Sequence, residues 1–409
     1  MDYSVPCIYG RIKNKKAVVK VPGSKSITAR ALLAAALAEG TSVLYGAGLS
    51  DDCKTFIGCI ESLGIKTKVS GDTVTVHGCG GKLPVSRGEV YVGSAGTAAR
   101  FITALLAFCD GEFVVRSSEQ MKARPVAPLI SALEGAGASF EFIEKPYCFP
   151  FIIRGTCSPA KSITVDIDKS SQFLSAAMMA AVCAKDGLEI RVQGSHGMKY
   201  VDMTADIMWS FGVEVGRDGD RYIVPAGEKY VARRYDTEPD ISAACYFYAM
   251  NRILGTDISV KGVMPHSMQG DVEFIKLMRG GFDGGSVDMS AFSDQALTMA
   301  AVAPYFSRPT EIHGISHIRG QECDRINAIM CAMQAMNVRC ELLSDGVKIY
   351  PSVPCAAQIE TFGDHRVAMS FAVTGLRAEG VVIKNAEVCS KTFGDYFSVL
   401  DGLIKNLTL

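Results

Sequence analysis

The segment PGSKSITAR, at positions 22–30, sets Lys25, Ser26 and Arg30 beside a glycine turn. Gly23 permits a tight turn, and Ser24, Ser26 and Thr28 can cap a following helix. Lys25 and Arg30 add positive charge where the helix dipole is already positive. GSAGTAAR, at 93–100, repeats the design: Gly93 and Gly96 allow close backbone approach, and Thr97 and Arg100 face a helix start. KARP places Arg124 before another helix, and KSSQF offers Ser170, Ser171 and Gln172 at a further one. The second half adds acids. SDQ puts Asp294 at a helix N-cap, QECDR sets Glu322 and Asp324 beside Arg325, GDHR joins Asp364, His365 and Arg366, and KTFGDYF opens with Lys391. Taken singly, each is also what a plain helix cap or a surface ion pair looks like. Taken together, Lys25, Arg30, Arg100, Arg124, Arg325, Arg366 and Lys391 all fall at or near expected helix starts, with Asp294 and Glu322 among them. That is chemistry for holding polyanionic small molecules and moving protons between them.

The elements that carry these residues repeat. An Ala-rich apolar helix, a Gly or charged turn and a short β-branched strand recur six times, beginning near Ala29, Ala99, Gln172, Ile241, Gln295 and Arg366. The interval is about seventy residues, apart from one step of about fifty-four between the fourth and fifth copies. Between the Ala-rich helices lies a more amphipathic helix followed by a hairpin, as in CKTFIGCIESLGIKTKVSGDTVTVHG and RINAIMCAMQAMNVRCELLSDGVKIYPS. The module is therefore strand, helix, strand, helix, strand, strand, and six modules make two domains of three. The last module has a helix, KTFGDYFSVLDGLIKNL, with no strands after it, whereas the chain begins with strands and no helix before them. The N-terminal strands are expected to complete the final module. One domain then holds residues 1–20 and 236–409, and residues 21–235 form an inserted domain. The chain crosses near 19–22 and near 233–239, a two-strand hinge suited to closing on ligands.

Composition narrows the class. With 409 residues the chain is too long for one core. Its 42 basic and 43 acidic side chains leave a net charge of −1, which argues against nucleic acid or a membrane surface as partner. The 14 cysteines show no Cys-x-x-Cys pairing, so reduced thiols in a cytoplasmic protein are expected, with no metal site. No apolar run is long enough to span a bilayer, and the N-terminus has no apolar signal region.

The ordered set PGSKSITAR, GSAGTAAR, MKARP, SSQFLSA, HSMQGD, QECDR, GDHRVAM and KTFGDYF resembles the 5-enolpyruvylshikimate-3-phosphate synthase (3-phosphoshikimate 1-carboxyvinyltransferase) family over essentially the whole chain. The resemblance implies an α/β (α+β) fold of two similar domains, each of three βαβαββ units. It implies transfer of the enolpyruvyl group of phosphoenolpyruvate to the 5-hydroxyl of shikimate 3-phosphate, by addition and then elimination of phosphate, with no cofactor. The pathway is that of chorismate and the aromatic amino acids, and the family is the glyphosate target. Carried over by motif, Lys25, Ser26, Arg30, Ser170, Ser171, Gln172, Tyr200, Asp294, His317 and Gln321 would surround shikimate 3-phosphate. Lys25, Gly96, Arg124, Gln172, Arg325, His365, Arg366 and Lys391 would hold phosphoenolpyruvate. Asp294 and Glu322 would move the protons, with Lys25 and Lys391 also catalytic. A monomer acting on these two small molecules is expected.

The sequence departs from the family pattern at Ser94, Gly197, His317 and Gln321, where the family usually has Asn, Ser, Asn and Lys. Losing both a cation and a hydroxyl around the 3-phosphate calls for a replacement. Lys169, Ser195, Lys199, His317 and Arg319 lie close in sequence, and Lys199 is favoured because it adds charge two residues from the lost hydroxyl, where strand alternation could aim it toward the same face. Two other readings stand beside the main one. The sister transferase acting on UDP-N-acetylglucosamine has Lys-Asn where this chain has Lys25-Ser26. A non-catalytic anion-binding paralogue would not need Lys25, Asp294, Glu322 and Lys391 intact.

Overall fold

The computed structural model describes all residues 1–409 and divides into two compact units, residues 1–22 with 239–409, and residues 23–238. In the 23–238 unit the Ala-rich segments are the helices Lys25–Leu37, Gly96–Ala107 and Gln172–Ala180, which pack on one another and are buried along nearly their whole length. A helix buried all round needs no polar face, and alanines let such helices approach closely. In the other unit Ile241–Leu254, Ala296–Val302 and His365–Gly375 form the equivalent central trio.

Sheets flank these helices. Around Gly96–Ala107 the module is complete. Strand Arg87–Tyr91 runs parallel to Gly111–Arg116, which is antiparallel to Phe151–Gly155, and Ser139–Phe142 forms the far edge. Ser162–Asp166, Leu188–Gln193, Arg221–Val224 and Gly216–Asp218 repeat this order, as do Gly285–Asp288, Thr310–His313, Gly346–Ile349 and Cys340–Leu343. The remaining sheets borrow strands from distant sequence. Arg234–Asp236 lies parallel to Glu39–Tyr45, and Tyr3–Ser4 pairs antiparallel with Val381–Ile383.

Two expectations need correction here. Of the N-terminal strands only Tyr3–Ser4 joins the final module. Lys16–Val19 instead pairs in parallel with Asp257–Val260, and that sheet has two strands alone. From Asp257–Val260 the chain passes through the helix Val272–Arg279 straight to Gly285–Asp288, with no hairpin, and this omission accounts for the short repeat step. The last helix begins at Tyr396, not at Lys391: Ala386–Lys391 is a 3-10 turn, and Thr392–Asp395 lies outside any helix. No helix is long and apolar enough to cross a membrane.

Candidate active site

In the 23–238 unit, Lys25 opens its helix after Ser24, whose hydroxyl accepts from the Ile27 N–H. The Lys25 ammonium lies 3.2 Å from Asp52, a carboxylate from the first turn of the next helix. Arg30, one turn further on, is 2% exposed. Its guanidinium donates to Thr204 Oγ1 (2.7 Å), the Ser26 carbonyl (3.0 Å), Ser175 Oγ (3.4 Å) and the Tyr200 carbonyl (3.3 Å), and stacks over Phe101. Burial pulls its pKa down to about 10, so it remains a cation at neutral pH. Four of its five donors are committed to protein, which offsets the cost of burying the charge.

Gly96 and Arg124 meet at the start of the next central helix. A methyl group on Gly96 would stand 2.8 Å from Arg124 Nη1, so the guanidinium lies directly over the glycine. Arg100 is buried and donates to the Gly96 and Pro125 carbonyls, fixing this turn from below. At the third helix Ser170 Oγ accepts from the Gln172 N–H at 3.2 Å, whereas Ser171, in helical conformation, makes no cap bond.

The unit containing both termini gathers the acids and the remaining bases into one network. Every N–H of the Arg325 guanidinium has a protein acceptor. Nε donates to Asp364 Oδ2 (2.8 Å), Nη1 to Asp294 Oδ1 (3.0 Å) and to Gln321, and Nη2 to Glu322 Oε2 (3.1 Å) and Asp364 Oδ1 (3.4 Å). Burial pulls the Arg325 pKa down, but the charges of Asp364, Glu322 and Asp294 overcome it and raise it. Arg366 Nη2 donates to Asp294 Oδ2 at 2.8 Å, and Lys391 lies 3.6 Å from Glu322 Oε1. His317 Nε2 is 2.8 Å from the hydroxyl of Ser293, next to Asp294, and buried His365 lies 3.6 Å from Asp364. Three carboxylates thus share three cations, mostly out of water.

Asp294 is not the N-cap the sequence suggests. It sits within the 3-10 turn Ser293–Gln295, and its two oxygens serve Arg325 and Arg366. Two charge-assisted bonds outweigh the single cap bond a helix start would offer. Lys391 likewise ends a 3-10 turn instead of opening a helix. Lys199 is exposed in the first turn of the helix Met198–Ser210, so strand alternation does not aim it, and Arg319 is paired with Asp324 at 2.7 Å. Sequence reasoning passed over Asp52, Thr204, Ser175 and Ser242. Only Asp52 left a trace, as one of the acids following Ser50 at a helix start.

This geometry has relatives. The family model described as EPSP synthase (3-phosphoshikimate 1-carboxyvinyltransferase) matches residues 10–281 and 276–400. A 3-phosphoshikimate 1-carboxyvinyltransferase from a Nostoc species is 38% identical over 404 residues, covering 93% of this chain and 95% of that protein. The chain belongs to the EPSP synthase family. The relative of the same name from Vibrio cholerae is 34% identical over 403 residues, with 93% and 95% covered. A solved structure of EPSP synthase from Acinetobacter baumannii superposes with a TM-score of 0.81 over 98% of this chain and 97% of that one, at 23% identity, and so shares the fold.

Two departures from the EPSP synthase pattern now have a physical context. Gly197 is the N-cap of Met198–Ser210 at φ 66°, and a Cβ there would stand 2.6 Å from Ser171 Oγ. The glycine both permits the left-handed turn and leaves room for Ser171. Gln321, where the family usually has Lys, turns its carbonyl oxygen to Arg325 and adds an acceptor where a lysine would add a repelling charge.

Proposed function

We propose that this chain transfers the enolpyruvyl group of phosphoenolpyruvate to the 5-hydroxyl of shikimate 3-phosphate and releases phosphate. The observation that carries the reading is the single network of Asp294, Glu322, Arg325, Arg366 and Lys391, in a chain that keeps the family's motifs along its length. Ser26 and Arg30 take the shikimate carboxylate, Ser170 and Ser171 its 3-phosphate, and Gln172 and Tyr200 line the ring, while His317 and Gln321 are the other unit's candidates for the same substrate. Arg325 and Arg366, beside His365, take the phosphoenolpyruvate carboxylate, and Lys25, Gly96, Arg124 and Lys391 its phosphate. Free thiols throughout and a balanced charge fit a cytoplasmic monomer acting on small molecules.

The chemistry follows from the charges. The 5-hydroxyl oxygen adds to C2 of phosphoenolpyruvate while its proton passes to Asp294 and a proton from Glu322 reaches the methylene carbon. The tetrahedral adduct then loses phosphate as a proton leaves that carbon, so one group serves as acid and then as base. In the arrangement described, Asp294 and Glu322 are both held by Arg325, which favours their ionised forms. A substrate carboxylate at Arg325 and Arg366 must take over those donors. The two side chains thereby become more basic when substrate arrives, which is when protons must move.

A coupled phosphate-release assay with the two substrates tests the reaction. Turnover is expected for the wild type, and Glu322→Gln and Asp294→Asn should each lower kcat by about a hundredfold with substrate binding largely retained. Near-normal turnover in both variants would remove them from proton transfer.

A further inference from the structure

The HSMQGD segment, at 266–271, has no role in the mechanism above, yet two of its side chains are built into the start of the helix Ile241–Leu254. Gln269 Oε1 accepts from the Ile241 N–H at 3.1 Å, and its Nε2 donates to the Pro239 carbonyl at 2.9 Å. Asp271 is 3% exposed. It precedes the helix Val272–Arg279 but does not cap it. Its Oδ2 accepts from the hydroxyl of Ser242 and from Gln295 Nε2 at 2.8 Å, while Oδ1 is buried with no hydrogen-bond partner.

Both donors lead to the proton-transfer group. Ser242 Oγ accepts from Arg366 Nη2 at 3.3 Å, and the same nitrogen donates to Asp294 Oδ2 at 2.8 Å. Gln295 adjoins Asp294 in the same 3-10 turn and is itself tied by Thr298 at 3.0 Å. A carboxylate seldom goes so deep with one oxygen unpaired unless its charge is used.

We propose that Asp271 is a positioning residue for proton transfer at Asp294, holding Arg366 through Ser242 and the Asp294 turn through Gln295. This rests on the reading of Asp294 as proton acceptor. Burial and the charge of Asp294 push the Asp271 carboxyl up to about 6, with Arg366, Ser242 and Gln295 opposing. The groups facing it are Asp294 from the 3-10 turn, Arg366 from the His365–Gly375 helix and, on the Ile241–Leu254 helix, Cys245, whose thiol burial keeps protonated. The two carboxylates therefore titrate as a pair, and the acid limb of activity belongs to that pair.

Two variants should move this limb in opposite directions. Asp271→Asn removes the like charge, so Asp294 ionises more readily and the limb of kcat moves to lower pH by about half a unit or more, with kcat about tenfold lower at pH 7.5. Ser242→Ala removes a donor to the ionised Asp271, so the limb moves to higher pH. The measurement is phosphate release from the two substrates between pH 5 and 9, with circular dichroism to check folding. Limbs that stay in place, or move the same way, overturn the proposal. If Asp271→Asn does not fold, Ser242→Ala alone decides, and an unmoved limb there overturns it. A wild type that releases no phosphate overturns both this and the reading of the reaction, whereas an active wild type with unmoved limbs overturns this alone.

Discussion

At Gly96 the absence of a side chain is a contact in itself. The Arg124 guanidinium occupies the space a methyl would need, 2.8 Å from Nη1 and 3.0 Å from Nη2. Gly96→Ala should therefore push Arg124 aside without unfolding the helix, since the backbone there is helical and alanine favours it. The expected result is a rise in KM for phosphoenolpyruvate of about tenfold, ~1.4 kcal/mol, with KM for shikimate 3-phosphate nearly unchanged. Steady-state kinetics with each substrate varied in turn would show it, and an equal rise for both would separate Gly96 from the Arg124 site. Types and spacing named Gly96 and Arg124 as candidates because glycines and cations at helix starts are visible in a one-dimensional string. That the guanidinium lies over the glycine is not visible there, because it depends on a contact across 28 positions between two different elements. The same limit hid Thr204 and Ser175 beneath Arg30, since a lone Thr or Ser on an apolar helix carries no signal of what it accepts from.

At the scale of elements, the Asp364 turn does two jobs at once. Its carboxylate accepts from the Arg366 N–H at 2.8 Å, opening the helix His365–Gly375, and it grips Arg325 from a second helix. A cap alone is worth about 1 kcal/mol, whereas removing one partner of a buried ion pair costs about 3–5 kcal/mol. Asp364→Ala should therefore lose several times what a cap explains, and Asp364→Asn, which keeps an acceptor for the Arg366 N–H, should lose most of the pairing but little of the cap. Urea unfolding of both variants would read the difference. A loss of only about 1 kcal/mol in Asp364→Ala would show that Arg325 finds water or other acceptors instead. The helices themselves were legible, because six Ala-rich runs ending at Gly or charged turns repeat along the chain. Their starts were less so. Asp294 and Lys391 looked like helix openings because Asp and Ser before an apolar run normally cap. Here the electrostatics of neighbouring arginines claimed Asp294 for the site, and the backbone leaves helical geometry at Thr392, φ −138°, before the last helix starts at Tyr396.

At the scale of the whole molecule, the two units differ in how their chain is assembled. Residues 23–238 are continuous, whereas the other unit is stitched from residues 1–22 and 239–409. The repeat pattern showed that the chain ends had to complement one another, because a module lacking strands and strands lacking a module are each incomplete. It did not show which strand goes where, since two short N-terminal strands can pair with any exposed edge of suitable register. In the structure both are used. Tyr3–Ser4 pairs with Val381–Ile383 and Lys16–Val19 with Asp257–Val260, and Val5, Ile8, Val19 and Val21 are buried among the apolar side chains of residues 239–409. At about 1.5–3 kcal/mol for each of four such side chains, this segment contributes about 6–12 kcal/mol of burial, comparable to the whole stability of a domain at about 5–15 kcal/mol. Deleting residues 1–22 should therefore unfold the split unit and leave the continuous one cooperative. Scanning calorimetry of the truncated chain is expected to show one transition of reduced enthalpy. Limited proteolysis should degrade residues 239–409 while protecting a fragment close to 23–238. A truncated chain that melts like the full one, with both regions protected, would show that the helices of the split unit hold together without their borrowed strands.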